Sequence, residues 1–367
     1  MKWYTFFISV GFLAVMAHIQ TGYAQKKPVR IAVAGMTHGH VGGILRRQHA
    51  EDMVLVGFSE PDEALATRLI AQYDLNPDLW FANMDDMLKA VKPEAVCAFG
   101  SIYEHLEVVE HCAPLGIHVM VEKPLAVNIA HATKMKSLAA QNKIHLLTNY
   151  ETTWYASNHK IHELNGQGAL GDIRKIVVHD GHEGPIEIGC SKEFLAWLTD
   201  PVMNVGGAVI DFGCYGANLT TWLMGNQRPV SVTAVTQQIK PSMYPKVDDE
   251  ATIILEYPGA QAIIQASWNW PFSRKDMEVY GTKGFLLGPN GTTMISRLDG
   301  AKKETTVQLS PLANPNNDPF AYFASVIRGT TEASGGLSSL ENNMIVVEIL
   351  STAIQSAKEG KTIYLHK

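Results

Sequence analysis

Short apolar runs alternate with amphipathic stretches from Pro28 to Thr148. The apolar runs have the length of buried strands, and the stretches between them repeat apolar residues with the period of a helix. The runs are Val29–Ala34, Met53–Phe58, Ala95–Phe99, His118–Val121 and Ile144–Thr148, and the helical stretches are Glu63–Tyr73, Met84–Val91, Glu104–Ala113 and Ile129–Gln141. Wholly apolar strands separated by helices predict a parallel sheet covered on both faces, a doubly wound α/β domain.

The pattern changes after Tyr150, where strand-like runs follow one another with short turns between them. They are Arg174–His179, Pro229–Gln238, Ala251–Tyr257, Ala260–Trp268, Met277–Tyr280, Phe285–Leu287 and Met294–Leu298. Such an order predicts an antiparallel sheet, covered on one face by helices that include Ile210–Met224. The sequence therefore predicts a Rossmann domain over residues 25–148 and an α+β domain over residues 149–367.

Residues 1–24 have the layout of a secretory signal peptide. Lys2 precedes an apolar stretch from Trp3 to Ala17, and small residues at Gly22 and Ala24 suit cleavage before Gln25. The apolar stretch is short for a bilayer span. We expect a cleaved, periplasmic or secreted chain without stable membrane insertion, and an uncleaved amino-terminal anchor is the alternative.

The charge balance argues against a nucleic-acid partner. The chain has 367 residues and a formal net charge of −6, and it contains no run of lysine or arginine. Binding to phosphate backbones requires clustered basic side chains. We therefore expect a small-molecule ligand and no nucleic acid.

The first predicted strand leads into a glycine-rich loop and then a helix. Glycines at such a turn let the backbone approach a pyrophosphate at the helix amino terminus. The usual G-x-G-x-x-G spacing is altered, and the predicted cofactor-binding residues of the loop are Gly35, Thr37, His38, Gly39 and His40. Glu60 ends the second strand, where an acidic side chain binds the ribose hydroxyls of NAD and disfavours NADP.

An apolar strand delivers Lys123 to the carboxyl edge of the predicted sheet, where doubly wound domains bind ligands. The segment Glu122-Lys123-Pro124 resembles the signature of the glucose–fructose oxidoreductase, inositol dehydrogenase and MocA family (Gfo/Idh/MocA). The stretch from Gly206 to Tyr215 resembles the family's Gly-Gly segment that leads to an Asp and, four residues on, a His. The resemblance covers nearly the whole mature chain.

The resemblance implies hydride exchange between a nicotinamide and a carbinol of a sugar, polyol or glycoside. It implies catalytic roles for Lys123, Asp211 and Tyr215, and cofactor contacts from Ser101, His105, Glu122 and Lys123. It also implies a homo-oligomer, a dimer or tetramer formed through the open sheet. Tyr215 replaces the commoner His, and its unperturbed pKa of about 10 means that it needs help to act as a base.

Other polar residues are candidates for binding the substrate. His182 and Glu183 follow the first strand of the second domain, and Trp197 offers a face on which a sugar stacks. His38 and His40 are too few to hold a metal, so no metal is expected.

Export leaves little free NAD, so we expect a tightly held cofactor that is regenerated in each cycle. The leading function is an NAD-dependent oxidoreductase of carbohydrate metabolism. The alternatives are an NAD-dependent glycosidase, which oxidises, eliminates and re-reduces, and a non-catalytic periplasmic binding protein.

Overall fold

The computed structural model describes residues 27–48 and 50–365, so the predicted signal peptide lies outside the described residues. Six parallel strands form the first sheet, in the order β3-β2-β1-β4-β5-β6. Their bounds are β1 Val29–Ala34, β2 Met53–Ser59, β3 Trp80–Phe81, β4 Ala95–Ala98, β5 His118–Glu122 and β6 Leu146–Asn149. The reversal of strand order lies between β1 and β4, which is where doubly wound sheets bind ligands.

Five α-helices connect these strands and cover both faces of the sheet. They are α1 Val41–Leu45, α2 Glu63–Tyr73, α3 Met84–Val91, α4 His105–Cys112 and α5 Ile129–Asn142. Side chains of Asp62, Asn83 and Asn128 accept backbone N–H groups in the first turns of α2, α3 and α5. These bonds satisfy backbone N–H groups that have no partner within the helix, so each helix begins directly after its capping residue.

The second sheet has nine strands in the order β14-β13-β12-β11-β7-β10-β9-β8-β15. Their bounds are β7 Ile173–Gly181, β8 Ser231–Gln237, β9 Glu250–Tyr257, β10 Ala260–Ser267, β11 Arg274–Gly281, β12 Gly284–Gly288, β13 Thr293–Leu298, β14 Thr305–Gln308 and β15 Ile363–Tyr364. Every neighbouring pair is antiparallel except β7 with β10, which run parallel. The sheet is therefore mixed, because the chain crosses over between β7 and the hairpin of β9 and β10.

Six further α-helices lie in the described part of the chain: α6 Ala156–Gly166, α7 Lys192–Leu198, α8 Ala208–Asp211, α9 Gly213–Leu223, α10 Pro319–Ile327 and α11 Leu340–Glu359. The predicted helix at 210–224 is thus broken at Phe212. Every residue of α9 is buried, since the helix lies between the second sheet and α11. The predicted two-part α/β and α+β fold class is confirmed.

Helix α10 packs on the first domain, although the sequence-based boundary assigned it to the second. Phe320 and Phe323 belong to the same apolar cluster as strands β1 and β2. Arg328, just after α10, forms an ion pair with Glu94 and donates to the carbonyl oxygen of Pro28. Helix α10 and Arg328 therefore complete the core and edge of the first domain.

Among residues 27–48 and 50–365, no helix combines the length and apolar character needed to cross a bilayer.

Candidate active site

A cavity of about 280 Å³ lies where the carboxyl edge of the first sheet faces the second domain. Loops and strands from both domains line it. The lining residues are His38, Gly39, His40, Lys123, His182, Pro185, Ile188, Cys190, Ser191, Phe194, Asp211, Phe212, Tyr215 and Lys275. The structure thus brings Lys123 to the same cavity as Asp211 and Tyr215, which lie about 90 residues further along the chain.

A buried ion pair joins the two domains at this cavity. Lys123 follows β5 and is 6% exposed, and its Nζ donates to Asp211 Oδ1 at 2.5 Å and to the Asp211 carbonyl oxygen at 2.9 Å. Trp268 Nε1 donates to the other carboxylate oxygen, Oδ2, at 3.0 Å. Asp248 caps α8 by accepting the N–H groups of Gly207 and Val209, which fixes the turn that carries Asp211.

The pair holds both side chains in their charged forms. Burial alone would lower the pKa of Lys123, but the adjacent Asp211 carboxylate more than offsets this and raises it. Burial alone would raise the pKa of Asp211, and the Lys123 ammonium lowers it below its ordinary value instead. The site therefore presents an ammonium group whose acidity depends on its carboxylate partner.

Tyr215 lies beside the ion pair and is 1% exposed. Burial, with the nearby Glu151 carboxylate, raises the pKa of its phenol well above the ordinary value. Lys123 Nζ lies 5.1 Å and Lys275 Nζ 4.7 Å from the centre of its ring. The phenol is consequently neutral at physiological pH, and it can donate a hydrogen bond but not accept a proton as a phenolate.

A second cavity of about 240 Å³ lies at the carboxyl ends of β1, β2 and β4, the position of a dinucleotide groove. Gly35 lines it with φ +73°, and a Cβ at this position would approach the backbone nitrogen of Gly100 to 2.8 Å. Glycine is required there because it accepts both the left-handed backbone and the close contact between two loops.

His105 also lines this groove and fits a nucleotide. Its ring Nδ1 lies 3.2 Å from the Leu125 carbonyl oxygen, so Nδ1 carries the proton and Nε2 is an acceptor. Burial lowers the pKa of His105 to about 4, which keeps the ring neutral. Its Nε2 is buried and has no hydrogen-bond partner in the described chain. Such an orphaned acceptor suits an N–H or O–H group of a bound cofactor.

The two histidines of the glycine-rich loop, His38 and His40, line the catalytic cavity. His40 Nδ1 lies 3.1 Å from Glu122 Oε2, and Asn149 Nδ2 donates to Glu122 Oε1 at 2.7 Å. His38 is buried and neutral, because burial lowers its pKa well below the ordinary value. Potential ligand atoms of His38, His40 and Glu122 lie within 4.8 Å of one another. The carboxylate is the third such group, which the sequence pattern of two histidines did not show.

Three predicted cofactor residues hold loops and do not line the groove. Glu60 is 2% exposed, and its carboxylate oxygens accept the N–H groups of Met36 at 2.8 Å and Asp62 at 3.0 Å. Ser101 donates from Oγ to Glu104 Oε2 at 2.7 Å, at the start of α4. Thr37 Oγ1 accepts Trp197 Nε1 at 3.1 Å. The two bonds to Glu60 hold the carboxylate of a residue between Ser59 and Pro61, which do line the groove, and its predicted contact with a ribose stays a prediction.

Of the three predicted substrate residues, one lines the catalytic cavity and two do not. His182 lines the catalytic cavity. Glu183 does not line it, and its carbonyl oxygen accepts Lys240 Nζ at 2.5 Å. Trp197 is buried behind His38, with ring centroids 5.7 Å apart, so it supports the loop and does not offer a face to a sugar. A buried Trp whose N–H is satisfied inside the protein is the usual arrangement.

Sequence reasoning missed one charged and several apolar residues of the cavity. Lys275 comes from β11, where strand register places it opposite Asp180, and it forms an ion pair with Glu151. Phe194 and Ile188 come from α7 and the segment before it. No motif marks these positions. Only the alternation of strand residues predicts that Lys275 shares a face with Met277, and it does not predict which face is inward.

Together, the fold and the site define a two-domain, nicotinamide-dependent oxidoreductase. Residues 29–150 match the family described as "Oxidoreductase family, NAD-binding Rossmann fold", and residues 158–287 match "GFO/IDH/MocA C-terminal domain". The chain belongs to the Gfo/Idh/MocA family, as the resemblance predicted. It is an NAD-binding oxidoreductase.

Relatives and solved structures agree with this assignment. A trans-1,2-dihydrobenzene-1,2-diol dehydrogenase of Xenopus tropicalis is 26% identical over 68% of this chain and 74% of its own length. An inositol dehydrogenase homologue of Azotobacter vinelandii, complexed with NAD+, has a TM-score of 0.80 at 18% identity and covers 93% of this chain and 98% of its own. An aldose–aldose oxidoreductase of Caulobacter crescentus, complexed with glycerol, has a TM-score of 0.78 at 22% identity, with 92% and 100% covered. At these identities the structures show the shared fold alone.

Proposed function

We propose that this protein transfers hydride between NAD and a carbinol carbon of a sugar, polyol or glycoside. The observation that carries the proposal is the buried Lys123–Asp211 pair in a cavity next to the dinucleotide groove. The groove lined by Gly35 and His105 would hold NAD, which would supply or accept the hydride when bound. The similarity to dehydrogenases of cyclic diols and polyols supports a substrate with hydroxyl groups on a ring.

Lys123 orients the reacting oxygen and exchanges its proton. In reduction of a ketone, the Lys123 ammonium gives a proton to the oxygen as the hydride reaches the carbon. In oxidation, the same proton returns to Lys123, which must first have released one to Asp211 Oδ1, its partner at 2.5 Å. The pair thus provides an acid and a base in one hydrogen-bonded unit.

The cavity walls exclude water and hold the ring of the substrate. Phe194, Phe212 and Ile188 provide apolar contacts, while Lys275 and the Tyr215 hydroxyl provide polar ones. Such a mixture of apolar surface and a few convergent polar groups is typical of a small-molecule site.

A charge-preserving substitution tests the proposal. Lys123→Arg keeps a cation beside Asp211, but Arg does not give up its proton in proteins, so we expect kcat to fall about 10²–10⁴-fold. The measurement is NADH formation with myo-inositol, glucose, methyl glucoside and a trans-dihydrodiol, with chromatography of the products. Lys302→Arg, on the exposed surface, is the matched control and should keep wild-type kcat.

Other outcomes would contradict the proposal. Full activity in Lys123→Arg would remove Lys123 from the chemistry. Release of a free leaving group from methyl glucoside, without net NADH, would indicate the glycosidase instead. Ligand binding without turnover in any assay would favour the binding protein.

We also propose that the chain is exported, retains NAD tightly and forms a dimer or tetramer through the open face of the second sheet. Residues 1–24 support export, and the shortage of free NAD outside the cytoplasm supports retention. Chromatography of nucleotide released from the denatured, purified protein tests retention, and light scattering tests assembly. Rapid exchange of bound nucleotide with free nucleotide would overturn the proposal of tight retention. A monomer in solution would overturn the proposal of a dimer or tetramer.

A further inference from the structure

His182 lines the catalytic cavity, and hydrogen bonds to neighbouring segments fix its backbone. It follows β7, its N–H donates to the Ser267 carbonyl oxygen at 3.1 Å, and its own carbonyl oxygen accepts the Trp270 N–H at 3.2 Å. The preceding residue, Gly181, has no room for a side chain, because a Cβ would lie 2.6 Å from the Ser267 oxygen and 2.8 Å from the Trp270 ring. The position of His182 is therefore fixed by both neighbouring segments.

The hydrogen bonds of the ring determine its tautomer. Gly184 N–H donates to His182 Nδ1 at 2.9 Å. A backbone N–H can only donate, so Nδ1 must carry the lone pair, and a neutral ring then carries its proton on Nε2. The ring meets Phe212 edge-on, with centroids 4.8 Å apart and planes at 86°. Within residues 27–48 and 50–365, no protein group hydrogen-bonds to Nε2.

The surroundings keep this ring neutral. Burial lowers the pKa of His182, and so do the ammonium groups of Lys275 and Lys123, while the carboxylates of Asp211 and Glu183 oppose them. The imidazole therefore presents an N–H donor to the cavity at physiological pH, and it has no basic nitrogen there with which to take up a proton.

We propose that His182 donates a hydrogen bond from Nε2 to the reacting oxygen of the substrate, and that it does so as a neutral imidazole. The proposal rests on the proposed hydride transfer. Tyr215 occupies the position of the family's usual His, and the centre of its buried ring lies 5.1 Å from Lys123 Nζ and 4.7 Å from Lys275 Nζ. His182, which follows strand β7 and does not lie on helix α9 with Tyr215, supplies the imidazole that position 215 lacks.

The chemical role follows from the charge that develops on the oxygen. As hydride reaches a carbonyl carbon, the C=O π electrons move to the oxygen, which takes the proton of Lys123. In oxidation, the C–H electron pair leaves with the hydride and the O–H proton goes to neutral Lys123. His182 keeps its proton in both directions and stabilises negative charge on the oxygen, as a fixed donor does in an oxyanion hole.

Two substitutions at position 182 test the proposal. His182→Leu removes the donor, and we expect kcat to fall about 10²–10³-fold with less than about threefold change in KM. His182→Gln restores an N–H donor on a side chain of similar length. We expect its kcat to be at least tenfold higher than that of His182→Leu. His111→Leu, on α4 beside Asp85, is the control with unchanged kcat and KM. Circular dichroism establishes that each variant is folded.

A pH profile separates a donor from a base. A neutral donor predicts that His182→Gln keeps the same acidic limb of kcat as wild type. Loss of that limb in His182→Gln would show that His182 titrates as the base, and would overturn the proposal. A change confined to KM would also overturn it, because it would place the hydrogen bond on another hydroxyl of the substrate.

The tautomer can be measured without any substrate. In ¹⁵N-histidine-labelled protein at pH 7, we expect the His182 signals to show a protonated Nε2 and an unprotonated Nδ1. The opposite tautomer, or an imidazolium, would overturn the inference directly. If instead the tautomer is as expected but wild-type protein oxidises no carbinol, the proposed function fails and the hydrogen bond to a reacting oxygen fails with it.

Discussion

The Lys123–Asp211 pair makes stability depend on a catalytic residue. Lys123→Met would leave the buried Asp211 carboxylate without its counter-charge, and we expect the free energy of unfolding to fall by about 3–5 kcal/mol at pH 7. Urea unfolding followed by circular dichroism measures the change. Lys302→Met, at an exposed position, should change the free energy by less than about 0.5 kcal/mol.

The same pair predicts the direction of a pH effect. The folded-state pKa of Asp211 is below its ordinary value of 3.8, so its contribution to stability is present above pH 3.8 and is lost as the pH falls through the folded value. The folded-state pKa of Lys123 is above 10.5, so its contribution is present below that pH and is lost at higher pH. The difference in unfolding free energy between wild type and Lys123→Met should therefore shrink in acid, as Asp211 is protonated. A difference that stays constant down to pH 3 would contradict this account.

Single residues were predictable where a motif marks them. Glu122-Lys123-Pro124 and the Gly-Gly segment before Asp211 identified Lys123 and Asp211 as catalytic candidates, and the structure joins these two residues in an ion pair at the cavity. Lys275 was not predictable, because its place depends on the register of β11 against β7. Trp197 was assigned to the substrate by residue type alone, and its burial behind His38 depends on contacts between domains.

At the scale of elements, the turn after β1 depends on Gly35. Gly35→Ala would put a side chain on a left-handed backbone, at about 1–2 kcal/mol, and against the Gly100 backbone. We expect lower stability in urea and a higher Kd for NAD by calorimetry, because the β1 and β4 loops would separate. Gly39→Ala is the matched control for stability, since an added Cβ there meets no atom within 4 Å. Equal stability of the two variants would contradict the prediction.

Local patterns predicted helices well and sheet connections less well. The bounds of α2 and α3 agree with the sequence-based ones, because capping side chains and apolar periodicity act within a few residues. The two-residue strand β3 is too short to give a pattern. The parallel pairing of β7 with β10 depends on how the chain crosses the sheet, which no local pattern records.

At the scale of the whole molecule, α10 follows the second sheet in sequence but packs in the core of the first domain. Phe323 is fully buried in the apolar cluster of the first domain, and we expect Phe323→Ala to lower the free energy of unfolding by about 3–5 kcal/mol. Phe272→Ala, at a side chain that is 61% exposed, is the control. Thermal or urea unfolding measures both, and a loss below about 1 kcal/mol for Phe323→Ala would mean that the first domain does not need α10.

The return of the chain to its first domain also sets an order of events during synthesis. A ribosome releases the strands β1 to β6 long before it makes α10, so the emerging first domain has an open apolar face where Phe320 and Phe323 will later pack. That apolar face stays accessible to water and to chaperones until the ribosome has synthesised α10, Pro319–Ile327. The core of the first domain is therefore completed only after strands β7 to β14 have been synthesised, and a nascent chain stalled before α10 has an incomplete first domain.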